Sequence, residues 1–191
     1  TEKEFFIMNH HDMTRNMVLA ALFAALTAIG AFLQIPTGTV PITLQFLFTA
    51  LAGLLLGWKW GAISQLLYVG IGLLGLPVFT QGGGIGYVLQ PSFGFLLGLI
   101  PAAAVIGALT ARRTGYLTVL AAVLVGDLIL YAVGVPYMYL ILHVYMQSAK
   151  TFPALLAAML VYVPGDTLKI VVVTALAPVL RRTLAKAVPN L

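Results

Sequence analysis

Pro164-Gly165-Asp166-Thr167-Leu168-Lys169 lies in the middle of an apolar run from Phe152 to Leu180. The nearest other charges, Lys150 and Arg181, sit outside that run. An ionised side chain at the centre of a bilayer costs roughly 2.5–3.5 kcal/mol even on lenient insertion scales. Here an acid and a base occur three residues apart, a spacing that shares one helix face. Pro164 cannot donate to the carbonyl one turn earlier, and Gly165 loosens the same turn. A backbone break, a carboxylate and an ammonium therefore coincide. Such a pair either neutralises itself as an internal ion pair or anchors a polar ligand facing a cavity. Intramembrane charges mark function by default, so the ligand reading is preferred.

Composition supports the membrane reading. Of 191 residues, 61% are hydrophobic and 8% charged, with mean hydropathy +1.06. Soluble domains carry about 25% charged residues. This chain lacks the polar surface to be one, and its length suits a single domain of about six spans of roughly 20 residues. Cysteine is absent, which excludes disulfides and thiolate metal sites. The net charge of +5 reads as membrane orientation rather than nucleic-acid binding. No cleavable signal peptide is expected. The polar segment 1–14 is read in part as an expression leader and assigned no function. Residues 15–191 form the membrane domain.

Outward from the charged stretch, the predicted spans are Met17–Gln34, Leu44–Gly57, Gly61–Gly75, Pro91–Ala111, Tyr116–Val135 and Phe152–Leu180. In the first span, Ala20, Ala24 and Ala28 recur every fourth residue, with Ala21 and Ala25 beside them. Such small-residue ridges allow close helix approach in lipid, within the bundle or against a partner. Trp58-Lys59-Trp60 marks an interface between two short spans. Leu76–Gln90, with Pro77 and four glycines, is too apolar for an ordinary linker and too glycine-rich for a helix. It reads as a lid or re-entrant loop, not a phosphate loop, because no Gly-Lys-Ser/Thr follows. After Gly134 and Pro136 the aromatic stretch to Met146 is expected to form a separate interfacial helix.

Cations set the orientation. With six spans, Lys3, Arg15, Lys59, Arg112, Arg113, Arg181, Arg182 and Lys186 fall on one side. Lys150 is opposite and Lys169 internal. The expectation is an all-α, six-transmembrane-helix bundle with N- and C-termini cytoplasmic. Loops Ile35–Thr43, Leu76–Gln90 and Gly134–Thr151 then lie outside, above the charged pair, so the pocket faces outward.

Several stretches resemble the BioY family, the biotin-specific S components (substrate-binding subunits) of energy-coupling factor (ECF) transporters. They are Pro41-Ile42-Thr43-Leu44-Gln45, Leu51-Ala52-Gly53-Leu54-Leu55-Leu56-Gly57, Gly72-Leu73-Leu74-Gly75-Leu76-Pro77-Val78-Phe79, Gly134-Val135-Pro136 and the Pro-x-Asp-x-x-Lys of the last span. The resemblance runs from about Met13 to Arg182. One motif departs: the family's Pro-Thr-Gly-Gly-Tyr is here Pro91-Ser92-Phe93-Gly94-Phe95, which keeps a hydroxyl at Ser92 and replaces a glycine by Phe93. The resemblance implies biotin held near the outer side in a prokaryotic cell membrane. It also implies a transmembrane coupling subunit docking on the alanine ridge and two cytosolic ABC-type ATPases. The chain has no Walker motif, so it is not expected to be an enzyme, and no cofactor is expected.

Biotin needs acceptors for its ureido N–H groups, donors for a carbonyl and a carboxylate, and apolar walls. Asp166 offers an acceptor and Lys169 a donor, while Gln45 and Gln81 offer both. Thr43 and Ser92 join them through the motifs, and Phe79 and Tyr139 are candidate walls. Another vitamin is the first alternative. A second is an intramembrane aspartyl protease using Asp127 and Asp166, but Leu124-Val125-Gly126-Asp127 lacks the first glycine of Gly-x-Gly-Asp, and Lys169 would disturb a shared-proton pair. A third is a proton-coupled symporter, for which the chain is short and shows no inverted repeat. His10, His11 and His143 are too scattered for a metal site.

Overall fold

The structure is a computed structural model that describes residues 2–37, 40–112 and 115–187, with side chains described from 13 to 183. Gly38 and Thr39 of the first loop, and Arg113 and Thr114 of the cationic turn, lie outside the described residues. The side chains of Lys3, His10, His11 and Lys186 do too.

Helix α1 (Glu2–Phe32) begins within the polar segment and ends short of Gln34. Gln34 instead opens a two-residue strand β1 (Gln34–Ile35), paired antiparallel with β2 (Ile42–Thr43). Next come α2 (Gln45–Leu73), α3 (Phe93–Thr110), α4 (Tyr116–Leu140), α5 (Phe152–Ala158) and α6 (Val163–Ala187). Among the described residues, five helical stretches are long and apolar enough to cross a membrane: Met13–Phe32, Gln45–Leu73, Phe93–Thr110, Tyr116–Tyr145 and Phe152–Thr183.

α2 is not one straight rod. Gly57 has φ 78°, a left-handed conformation that glycine adopts without steric cost. The chain reverses there. The amide of Gln45 donates to Tyr68 at 2.8 Å, and Thr49 Oγ1 donates to Gln65 Oε1 at 2.9 Å. A continuous helix would hold Gln45 and Tyr68 roughly 35 Å apart at 1.5 Å per residue. The two arms of α2, 45–56 and 58–73, therefore pack antiparallel, with Trp58 and Lys59 exposed at the turn.

Contacts define two ends of the bundle. At the cationic end, Arg181 of α6 donates to Leu54 O at 2.8 Å and to Thr110 O at 3.4 Å. A guanidinium thus satisfies helix-terminal carbonyls that have no partner within their own helices. At the loop end, Gln34 Nε2 donates to Thr80 O at 3.4 Å and Tyr137 Oη to Val88 O at 2.6 Å. The glycine-rich segment there is non-helical apart from a 3₁₀ turn, Ile85–Leu89.

Three expectations change. First, Gly134 and Pro136 do not end the fifth span: α4 runs through both to Leu140 and finishes in a π turn, Ile141–Tyr145. Gly134 provides clearance instead, since a Cβ there would fall 2.4 Å from the Phe95 ring. Second, the last predicted span holds as one helical stretch, Phe152–Thr183, but the break expected at Pro164-Gly165 is instead a tightening just before it. α5 runs without interruption into a 3₁₀ turn, Met159–Tyr162, and on into α6 at Val163. Third, Ala20 and Ala24 are 2% and 3% exposed and belong to the core. They face the bundle, so they are not a docking surface. Ala28 is half-buried, and the row Ala21 and Ala25 is the exposed one.

Candidate functional site

The 3₁₀ turn ahead of Val163 positions the charged pair. Pro164 has no N–H to offer one turn back, and the N–H of Val163 takes the Leu160 carbonyl instead. Asp166 lies in the first α-helical turn after it. One turn later, Lys169 Nζ sits 2.5 Å from Asp166 Oδ1. Both residues are buried, at 6% and 7% exposure. Lys169 also donates to Thr43 O of β2 at 3.2 Å. Asp166 Oδ2 accepts from Tyr131 Oη of α4. A buried ion pair survives desolvation only when further hydrogen bonds satisfy it, and these supply them. An ammonium has three N–H groups, and among the described residues two are engaged here, which leaves one uncommitted.

The pair lines a cavity at the loop end. Its polar walls include Thr43, Gln45, Thr80, Tyr87, Ser92, Tyr131 and Tyr162, beside Asp166 and Lys169. Phe46, Phe95, Leu96, Leu99 and Leu130 contribute apolar wall. Five expected site residues thus meet around one space: Asp166, Lys169, Gln45, Thr43 and Ser92. The amide of Gln45 is oriented at both ends, accepting from Thr43 Oγ1 at 2.8 Å and donating to Tyr68 Oη at 2.8 Å. The hydroxyl of Ser92 joins a chain through Tyr87 to Thr80, at 3.2 and 2.8 Å.

Three expected residues lie elsewhere. Gln81 is exposed in the glycine-rich loop. Phe79 is 1% exposed, clamped between Tyr68 and Tyr87 with ring centroids 5.5 and 4.6 Å away. It supports the wall from behind. Tyr139 stacks on His143 at 5.3 Å and meets Phe152 edge-on, outside the cavity. The motif departure also resolves: Phe93 is buried between Tyr87 and Tyr137, while Phe95 reaches the cavity and meets Tyr131 edge-on.

Tyr131, Tyr162 and Tyr87 line the cavity, and the sequence reading missed them. The available signal was a phenol in an apolar segment, since buried tyrosine hydroxyls need a partner. Asp127 lies one turn before Tyr131 on α4, and its Oδ1 is buried without a hydrogen-bond partner. Asp166 is committed to Lys169 and Tyr131, so the two aspartates form no proton-sharing pair of the protease kind. Among the described residues no group of His, Asp or Glu could hold a metal ion.

The sequence profile described as the BioY family matches residues 3–186. The chain belongs to the BioY family. It is 54% identical over 147 residues to the probable biotin transporter BioY of Lysinibacillus sphaericus, covering 76% of this chain and 75% of that one. Similarity to the biotin transporter BioY of Rhodobacter capsulatus is 39% over 188 residues, covering 93% and 97%. Among solved structures, an S component for biotin from an ECF-type ABC transporter superposes with a TM-score of 0.78 at 29% identity. That match covers 90% of this chain and 93% of the other.

Proposed function

We propose that this chain is the substrate-binding S component of an ECF-type transporter and takes up biotin across a prokaryotic cell membrane. One observation carries the reading: a buried Asp166–Lys169 pair with donor capacity to spare, lining a cavity in a BioY-family chain. Asp166 is suited to accept from ureido N–H groups. Lys169 is suited to donate to a carbonyl or carboxylate, and Phe46, Phe95 and Leu99 suit an apolar ring and chain. The chain contributes binding, not catalysis. Energy would come from a transmembrane coupling subunit with two cytosolic ABC-type ATPases.

With the arms of α2 counted separately, the helices cross six times and both termini are cytoplasmic. This agrees with Lys59, Arg112 and Arg181 gathering at one end. The pocket at the opposite end then faces outward. Two measurements test the proposal. Calorimetry of the detergent-purified chain with biotin, thiamine and riboflavin should give tight binding of biotin alone; tight binding of another vitamin instead rejects the substrate. Membrane-impermeant labelling should reach Ile85→Cys from outside, since Ile85 is 74% exposed, and Lys59→Cys from the cytoplasm. The reverse pattern rejects the orientation.

A further inference from the structure

A second cavity adjoins the first at the loop end. Met138, Leu155 and Val161 give it apolar walls, and Lys150 lies among its lining residues. Two side chains, Met159 and Tyr162, line both cavities and so form the partition between them. The Tyr162 hydroxyl shares a 2.8 Å hydrogen bond with Thr37 and donates to the Val40 carbonyl, a wall of the inner cavity. Met159 is unbranched and adaptable. The partition is thus a phenol held by its hydroxyl and a flexible thioether, not packed backbone.

Lys150 is exposed, and its field is little opposed. The five acidic residues are Glu2, Glu4, Asp12, Asp127 and Asp166. None falls in the loop-end segments 33–44, 74–92 or 141–151. A lone cation over a low-dielectric wall raises the local concentration of anions and their rate of entry. The chamber pairs that cation with apolar sides, which suits a small monoanion with an apolar body.

We infer that the second cavity is the entry vestibule of the site, where Lys150 captures the carboxylate of the incoming ligand and Tyr162 is the partition it must pass. The inference rests on the biotin reading above and adds the route and its capture residue. A positively charged rim residue acts chiefly on association rate, and its effect fades with salt.

The test is rapid-filtration kinetics on the detergent-purified full chain, using radiolabelled biotin and, as a neutral probe, biotin methyl ester. At low ionic strength Lys150→Gln should slow biotin association roughly three- to tenfold. The dissociation rate should not change, and the gap should close at high salt. Association of the ester should be unaffected. Lys59→Gln removes a charge at the opposite end and should leave association unchanged. Tyr162→Phe loses both hydroxyl contacts and should speed association and dissociation together, by about threefold or more, the factor that losing a bond of about 0.7 kcal/mol gives.

Unchanged biotin association in Lys150→Gln overturns the capture role. Equal slowing of the ester, or equal slowing by Lys59→Gln, does the same. Unchanged rates in Tyr162→Phe overturn the partition. These failures leave the biotin reading standing, whereas a parent chain that binds no biotin ends both. If Tyr162→Phe does not fold, Met159→Ala tests the partition with the same expected acceleration and the same overturning result.

Discussion

Two of the buried polar clusters among the described residues are built differently. One is uncharged and joins α1 to the two arms of α2. There Gln65 accepts from Thr49 and donates to Ser64 at 3.0 Å and to Thr27 at 3.3 Å. The hydroxyls of Ser64 and Thr27 also donate to carbonyls of their own helices, at Gly61 and Phe23, and the single O–H of Thr49 is shared between Gln65 and the Gln45 carbonyl. The other cluster is Asp166, Lys169 and Tyr131, which borders a cavity and keeps a donor in reserve. Burial alone does not separate them, since Gln65 is more deeply buried than Lys169. What separates structure from function is whether the polar capacity is used up. A closed cluster spends its polar groups on joining helices, and an open one keeps a donor uncommitted beside a cavity.

The sharpest break in that contrast is Lys169→Met, with Asp166→Asn beside it. Removing a charge-assisted hydrogen bond costs about 1.5–3 kcal/mol, so biotin affinity should fall roughly 10- to 150-fold in each variant. The protein should still elute as one folded species from detergent. Dissociation constants within about threefold of the parent for both variants would refute the site.

A second break comes from the packing beside the closed cluster. Ala24→Leu forces a larger side chain into a core position and should cost about 1–3 kcal/mol of stability. Ala25→Leu, one residue on, faces outward and should cost under about 0.5 kcal/mol. Thermal denaturation of the two variants compares them directly. Equal losses would mean that α1 is rotated from the position described.

Tyr131→Phe sharpens the open cluster. It leaves the Asp166–Lys169 pair but removes one hydrogen bond to the carboxylate, which is worth about 0.5–1.5 kcal/mol. Affinity should drop about two- to tenfold, clearly less than in Lys169→Met. A loss as large as that of Lys169→Met would make Tyr131 a direct ligand contact.

The smallest effect on affinity belongs to Gln65→Leu. Interhelical hydrogen bonds in membranes average about 0.6 kcal/mol, and the three hydroxyls keep their backbone partners. Stability should fall by about 1 kcal/mol, and biotin affinity should stay within threefold. A tenfold loss of affinity would tie the two clusters together.

The open cluster was legible because Asp166 and Lys169 interrupt an apolar run, and a charge in such a run has no inexpensive explanation. The reversal at Gly57 was legible for a related reason, since Trp58-Lys59-Trp60 reads as an interface between two short apolar stretches. The facing of α1 was not. Ala20–Ala24 and Ala21–Ala25 are adjacent small-residue rows about 100° apart on a helix of 3.6 residues per turn, and composition does not say which turns inward. Tyr131 escaped because a phenol among apolar residues looks the same whether it meets lipid, core or carboxylate. Gly134-Val135-Pro136 misled because the glycine makes room for Phe95 across the bundle, a contact no local pattern records. Proline in a membrane helix is also tolerated more readily than in water.

The reversal at Gly57 bears on how the chain enters the membrane. At 1.5 Å per residue the arms of α2 are roughly 18 and 24 Å long, each shorter than a hydrocarbon layer about 30 Å thick. Each also carries glutamine, Gln45 in one and Gln65 in the other. Neither arm alone is a good candidate for independent partitioning into lipid during synthesis. Joined, Gln45 meets Tyr68 and Gln65 meets Thr49, so the side chains that hinder insertion of either arm are sheltered by the other. The unit of insertion is then the hairpin, and the glycine at its tip decides whether two poor segments become one good one.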